Sequence, residues 1–165
     1  MKHILFLLLA LFAFNSTTFA KAFDLVVTPS PEEEPVTKSV TTKSPHQGKK
    51  MLIMISSSEL EKAGMGLTLG LSAAKQGIQV TYIIGAKALN SAKLSGKQNL
   101  FLAKQMTHRA ILQEALAHGA SVNICYMCAE ALGLTEKDFI EGAKIVKSQS
   151  IFDKLYEDGT KVLSF

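Results

Sequence analysis

Between residues 51 and 165, short runs of consecutive apolar residues alternate with stretches in which apolar residues recur every three or four positions. A continuous apolar run is typical of a strand buried on both faces, and the longer period is typical of a helix packed on a sheet. Parallel strands need long crossover connections, which are usually helices. The alternation therefore predicts an α/β domain with a mainly parallel five-stranded sheet flanked by helices.

Turn and capping residues separate these elements. A helix is predicted after the first strand, ending at Gly77, and its Gly64, Gly66 and Gly70 indicate close approach to the sheet. Further helices are predicted after Thr107 and from Ser150 to Asp158, while residues 86–106 are expected to form a short helix and a mobile loop. The predicted strands are 51–55, 80–84, 121–124, 143–146 and 161–165.

The first 50 residues differ from the rest in composition. Residues 1–20 begin with Lys2 and His3, continue with eleven apolar residues and end in a small, polar stretch at Ala20. This layout predicts a secretory signal peptide that is cleaved after Ala20, and therefore a periplasmic protein without stable membrane insertion. Residues 21–50 contain all four prolines and an acidic run, and predict a disordered linker. The folded domain is then residues 51–165.

The charge pattern argues against a nucleic-acid partner. The chain has 18 Lys and Arg against 14 Asp and Glu, and Arg109 is its only arginine. Bidentate contacts to phosphates and bases depend largely on arginine, so a nucleic-acid reader is not expected. Lys97, Lys104 and Arg109 are instead candidates for attracting an anionic species or partner.

The two cysteines, Cys125 and Cys128, follow the third predicted strand directly. Ligand and reaction sites of α/β sheets gather beyond the carboxyl ends of strands, and a helix start there would stabilise a thiolate. We therefore predict that Cys125 is the more acidic, nucleophilic thiol and that Cys128 is its partner. A zinc ribbon would need a second ligand pair, a c-type haem site would need His in place of Ala129, and a thioredoxin fold would need a proline that residues 51–165 lack.

The domain resembles the DsrE/DsrF-like family of small sulfur-relay proteins. The similarity spans residues 51–165 and includes the apolar first strand, the helix that ends at Gly77 and the terminal strand. The most telling segment is 122–125, Val-Asn-Ile-Cys, followed eight residues later by Gly133 and Leu134. The family's sulfur-accepting cysteine stands at this strand end, which corresponds to Cys125.

The resemblance implies a sulfur carrier or sulfurtransferase-like protein that holds sulfane sulfur as a persulfide on Cys125. Cys128 departs from the simplest members and implies a resolving or partner thiol. Partners would be sulfur donor and acceptor proteins or small sulfur species, with further copies of the chain in a homo-oligomer, and no cofactor or metal is expected. Two alternatives stay open, namely a soft-metal-binding module and a thiol–disulfide exchange protein that uses the same pair.

Several other polar residues have mainly structural interpretations. Glu130 is predicted to be a solvated helix charge, and His108 and His118 are predicted to lie on helix surfaces. Ser56, Ser57 and Ser58 are expected to follow the first strand at the same carboxyl edge as the cysteines, where they cap a helix or line a pocket.

Overall fold

The computed structural model describes residues 44–165. The signal peptide predicted over residues 1–20 lies outside the described residues, as do residues 21–43 of the linker predicted over residues 21–50. The helices and strands are, in chain order, β1 Lys50–Ile55, α1 Leu60–Lys75, β2 Gln79–Ile84, a 3₁₀ helix Ala86–Ser91, β3 Leu100–Phe101, β4 Met106–Thr107, α2 His108–Ala117, β5 Ser121–Cys125, α3 Tyr126–Glu130, a 3₁₀ helix Glu136–Asp138, β6 Ala143–Val146, α4 Ser148–Leu155 and β7 Thr160–Ser164.

Five strands form one sheet in the order β6-β5-β2-β1-β7, and every neighbouring pair is parallel. All of their carboxyl ends therefore meet at one edge. The predicted α/β class and the five predicted strands are confirmed, and no strand end differs from the prediction by more than one residue. Strands that are buried on both faces are continuously apolar, so the apolar runs of the sequence were sufficient to predict the central strands.

The main core lies between the sheet and helices α1 and α2, and two glycines of α1 set the distance between the layers. A Cβ at Gly66 would lie 2.6 Å from Ile55 Cδ1, and a Cβ at Gly70 would lie 2.7 Å from Ile53 Cδ1. Such distances are too short for real side chains, so only glycine allows this approach. The prediction of close approach to the sheet is confirmed for Gly66 and Gly70, whereas Gly64 packs on Phe101 of β3.

The segment predicted as a short helix and a mobile loop has more structure than expected. It holds the 3₁₀ helix Ala86–Ser91 and a two-stranded antiparallel hairpin of β3 and β4. Two-residue strands leave too little periodicity to be recognised in a sequence. The predicted cap of α2 is confirmed, because the Thr107 hydroxyl accepts a hydrogen bond from the Ala110 N–H at 3.2 Å.

Both ends of the domain differ slightly from the prediction. The Gly48 N–H donates to the Gly77 carbonyl at 3.0 Å, so the domain takes in residues that were predicted to be linker. Helix α4 begins at Ser148 after Lys147 and ends at Leu155, so the expected cap at Ser150 and end at Asp158 are wrong. None of the helices within residues 44–165 is long and apolar enough to cross a membrane.

Candidate functional site

The two cysteines lie at the carboxyl edge of the sheet. Cys125 is the last residue of β5, where it pairs with Val146 of β6, and Cys128 lies in the short helix α3 that follows at once. Both thiols are half-buried and neither is in a disulfide. The predicted position of the pair, at a strand end and in the next helical turn, is confirmed.

The chain that leaves β2 passes directly over the pair. The Gly85 N–H donates to the carbonyl of Ile55 at 3.0 Å, which holds this segment at the edge of the sheet. A Cβ at Gly85 would lie 3.4 Å from Cys125 Cβ and 3.6 Å from Cys128 Sγ, so a side chain here would contact both cysteines, whereas glycine leaves this space open.

Ala86, the next residue, supplies a hydrogen bond to the site. Its N–H donates to Cys128 Sγ at 3.1 Å. Ala86 has a φ of 47°, a conformation that costs an alanine roughly 1–2 kcal/mol and that places its N–H over the pair. The contact fixes Cys128 Sγ against the segment that follows β2.

The electrostatics of Cys125 differ from the prediction. Burial raises the pKa of the Cys125 thiol, and its hydrogen bond to the Cys128 side chain and the negative charge of an ionised Cys128 raise it further. The backbone N–H groups of Cys128 and Met127 lower this pKa, but burial outweighs them. The helix start therefore does not lower the pKa of Cys125 as expected, because the strand end buries the sulfur more than the helix start stabilises its charge. That Cys125 is the more nucleophilic of the two thiols stays a prediction.

The outer face of α3 is partly apolar. Met127, between the two cysteines, is 68% exposed, and Leu132 is 62% exposed. The Tyr126 hydroxyl donates to the Glu130 carboxylate, and Lys147 Nζ lies 5.7 Å from the centroid of the Tyr126 ring. Glu130 is thus an exposed helix charge, as predicted, with Tyr126 as its partner.

Other candidate residues have different places. His108 is buried rather than on the surface, and Arg109 donates to the carbonyls of Ser95 and Gly96, which makes it a structural residue. His118 is exposed, as predicted. Lys97 and Ser58 line a cleft that includes Lys87, the residue after Ala86.

No group of three or more His, Cys, Asp or Glu side chains converges on a possible metal position within residues 44–165. Of the possible thiol chemistries, the geometry suits those that need two adjacent sulfur atoms, namely sulfur transfer, disulfide exchange and two-coordinate binding of a soft metal.

Gly85 and Ala86 lie beside the cysteine pair, but neither was among the site residues predicted from the sequence. The position of Gly85 could have been predicted, because a glycine that directly follows a buried strand lies at the carboxyl edge of the sheet. Ala86 carried no such signal, since its role depends on its backbone N–H and a positive φ that alanine rarely adopts.

Comparisons with known proteins agree with this geometry. Residues 49–165 match the profile of the DsrE/DsrF-like family. Among curated proteins, the uncharacterized protein MJ0989 of Methanocaldococcus jannaschii is 32% identical over 85 residues, which are 52% of this chain and 71% of that protein. The uncharacterized protein MK0008 of Methanopyrus kandleri is 26% identical over 97 residues, or 59% of this chain and 77% of that protein.

Solved structures share the fold at low identity. The ychN protein from E. coli superposes with a TM-score of 0.60 at 16% identity, over 72% of this chain and 100% of that one. The protein of unknown function MTH1491 from Methanobacterium thermoautotrophicum superposes with a TM-score of 0.56 at 12% identity, over 71% of this chain and 99% of that one. At these identities the likeness shows a common fold.

Proposed function

Because the chain belongs to the DsrE/DsrF-like family, a role in sulfur relay is supported, and we propose that it carries sulfane sulfur as a persulfide on Cys125 with Cys128 as partner thiol. The observation that carries this proposal is the position of two half-buried thiols, neither of them in a disulfide, at the carboxyl edge of the sheet. The hydrogen bond from the Ala86 N–H to Cys128 Sγ at 3.1 Å fixes the position of the second thiol.

Loading of the pair starts at Cys125. Cys125 loses its proton to solvent, and its thiolate attacks the outer sulfur of a donor persulfide, R–S–SH. The S–S bond of the donor breaks, a new S–S bond forms on Cys125, and the donor leaves as R–S⁻. The product is Cys125–S–SH, and sulfur atoms and charge balance. Burial raises the pKa of the Cys125 thiol, so loading should become faster as the pH rises and more of the thiolate forms.

Cys128 also provides a route for unloading. After losing its proton, its thiolate can attack the inner sulfur of Cys125–S–SH, which forms a Cys125–Cys128 disulfide and releases HS⁻. An acceptor thiolate that attacks the outer sulfur first takes the sulfur instead and leaves Cys125 reduced. Cys128 therefore limits the lifetime of an unused persulfide, as expected of a resolving thiol.

Intact mass after treatment with polysulfide tests this assignment. We expect the reduced wild type and Cys128→Ser to gain about 32 Da, or multiples, as persulfide forms, with the adduct persisting longer in Cys128→Ser. Cys125→Ser is the matched control and should stay largely unmodified. Modification of Cys125→Ser but not of Cys128→Ser would reverse the assignment.

The same samples test the two alternatives. Cu(I) or zinc bound one per chain after purification, with no polysulfide adduct, would favour a metal-binding module. A Cys125–Cys128 disulfide that exchanges rapidly with glutathione, again without a persulfide adduct, would favour thiol–disulfide exchange.

Export and assembly are further parts of the proposal. We propose cleavage after Ala20 and a periplasmic location, which N-terminal sequencing of the exported protein would test; intact Met1 on exported protein would contradict it. We also propose a homo-oligomer with the cysteine pair near a subunit interface. The exposed Met127 and Leu132 support this, and a monomeric mass by light scattering at micromolar concentration would contradict it.

A further inference from the structure

A second feature at this edge of the molecule is a cleft of about 150 Å³, which begins one residue after Ala86. One wall is the 3₁₀ helix Ala86–Ser91, and the other is the segment that contains Lys97 and Asn99. The volume exceeds the roughly 30 Å³ that one water occupies in the liquid, so the cleft has room for a small ion or molecule.

The charge of the cleft is positive. Lys87 and Lys97 line it from opposite walls, and none of its lining side chains is acidic. Within residues 44–165, the ion pairs involve Lys50, Lys75 and Lys154, so neither cleft lysine is neutralised by a described carboxylate. Two ammonium groups above a shared cavity create a local potential that attracts anions.

The floor of the cleft is a buried polar pair. Ser91 is 5% exposed and His108 is 7% exposed. His108 Nε2–H donates to the carbonyl of Leu60 at 2.8 Å, so in the neutral ring Nδ1 accepts from the Ser91 hydroxyl at 3.2 Å. The polar floor is thus fixed in place, which makes the cleft a built cavity rather than a gap between mobile side chains.

The segment that carries Lys97 is also held in position. Arg109 donates to the carbonyls of Ser95 and Gly96 at 3.3 and 3.4 Å, and Gln98 Nε2 donates to the Asn90 carbonyl at 2.7 Å. These contacts tie the two walls together and fix the separation of the two lysine-bearing segments. Such preorganisation lowers the entropy cost of binding.

We propose that this cleft binds a small inorganic oxyanion of charge −2, such as sulfate, thiosulfate or phosphate. The two lysines supply charge-assisted hydrogen bonds to separate oxygen atoms. Since Lys87 follows Ala86, the occupied cleft and the cysteine pair share one backbone segment. The site itself does not depend on persulfide chemistry.

Amide chemical shifts of the ¹⁵N-labelled full chain, titrated with sodium thiosulfate and then with sulfate and phosphate, test the proposal. Sodium chloride at matched ionic strength provides the reference for screening. We expect saturable shifts at Lys87, Ser91 and Lys97 with at least one divalent anion and no saturable shift with chloride. Comparison of the three anions shows whether the site distinguishes a sulfur compound from phosphate.

Variants show whether anions bind in this cleft or are attracted generally to the basic surface. Lys87→Ala/Lys97→Ala should bind at least about tenfold more weakly, because both charge-assisted bonds are lost. Lys137→Ala/Lys144→Ala removes two exposed lysines elsewhere and should bind within about twofold of wild type. Cys125→Ser/Cys128→Ser should also bind as wild type. Absence of saturable binding, equal loss in both lysine pairs, or loss in the cysteine variant would overturn the proposal.

Discussion

The Ala86 N–H donates a hydrogen bond to Cys128 Sγ at 3.1 Å, and these two residues are 42 positions apart in the sequence. The contact joins the loop that follows β2 to the helix that follows β5, two neighbouring strands of the sheet. It fixes the position of the cysteine that stands second in the Cys-x-x-Cys sequence. The pair is therefore asymmetric, because Cys128 Sγ accepts a hydrogen bond from the backbone of a different loop.

The amide resonance of Ala86 should report on Cys128. In Cys128→Ala the hydrogen bond has no acceptor, so we expect the Ala86 amide proton to shift upfield, because the hydrogen bond that deshields it is lost. Cys125→Ala is the matched control and should shift this proton much less, because the Ala86 N–H donates to Cys128 Sγ and not to Cys125. Equal shifts in the two variants would show that the contact does not exist in solution.

Gly85→Ala should slow the reactions of both thiols without unfolding the protein. The added methyl would make ordinary contact with Cys125 Cβ and Cys128 Sγ, at 3.4 and 3.6 Å, and would cover space through which a reagent reaches the sulfur atoms. The backbone at Gly85 is extended, with a φ of −143°, so alanine fits it.

Alkylation by iodoacetamide, measured in Cys125→Ser and Cys128→Ser backgrounds, gives the rate for each thiol separately. We expect a decrease of about three- to tenfold, equivalent to roughly 1 kcal/mol of steric hindrance. The melting temperature serves as the control for folding. Unchanged rates in both backgrounds would argue against Gly85 as the entrance to the site.

Gly70→Ala should destabilise the domain, since the new methyl would collide with the Tyr82 hydroxyl and with Ile53. We expect about 1–3 kcal/mol from overpacking, offset in part by about 1 kcal/mol of better helix propensity. Urea unfolding measures the difference. Met65→Ala, at a 57% exposed position of the same helix, is the control and should change the stability by less than about 0.5 kcal/mol.

A second substitution identifies the colliding group. Tyr82→Phe removes the hydroxyl, which donates to the carbonyl of Leu67 at 2.7 Å, and by itself costs about 1 kcal/mol. Combined with Gly70→Ala, it should cost less than the sum of the two single changes, because the nearest colliding atom is removed while Tyr82 Cζ, at 2.5 Å from the new methyl, remains. Strict additivity would show that the Tyr82 hydroxyl is not the obstacle.

The free energy of unfolding should decrease as the pH falls, because His108 binds a proton more readily in the unfolded chain than in the folded one. Burial lowers the pKa of His108 from its usual 6.5, although the bond to the Leu60 carbonyl and the charge of Glu61 raise it in part. Above pH 6.5 this contribution is constant. As the pH falls below 6.5, the unfolded chain binds more protons than the folded one, so stability decreases until the folded-state pKa is reached.

His108→Gln keeps a polar side chain at this position but does not titrate, so its stability should depend less on pH below 6.5. Urea unfolding at several pH values between 5 and 8 measures the slope. His118→Gln removes an exposed histidine from the C-terminal end of α2 and is the matched control. The same loss of slope in both variants would contradict a specific role of His108.

The sequence by itself determined the architecture. Strands buried on both faces must be continuously apolar, and helices packed on them must repeat every three or four residues, so the sheet, α1 and α2 could be predicted to within a few residues. The position of Cys125 at a strand end followed from the same pattern. Gly66 and Gly70 could be predicted to approach the sheet, because an interior glycine is costly in a helix unless packing requires it.

Only the tertiary structure decided how the two cysteines differ. The pKa of Cys125 depends on how deeply the neighbouring strands bury its sulfur, and Cys128 Sγ accepts a hydrogen bond from the N–H of Ala86, which comes from a different loop. Likewise, the polarity of His108 gave no sign that it would lie beneath a cleft between Lys87 and Lys97. A sequence pattern records which face of an element is buried, whereas desolvation and hydrogen bonding depend on neighbours that the fold brings together from distant positions.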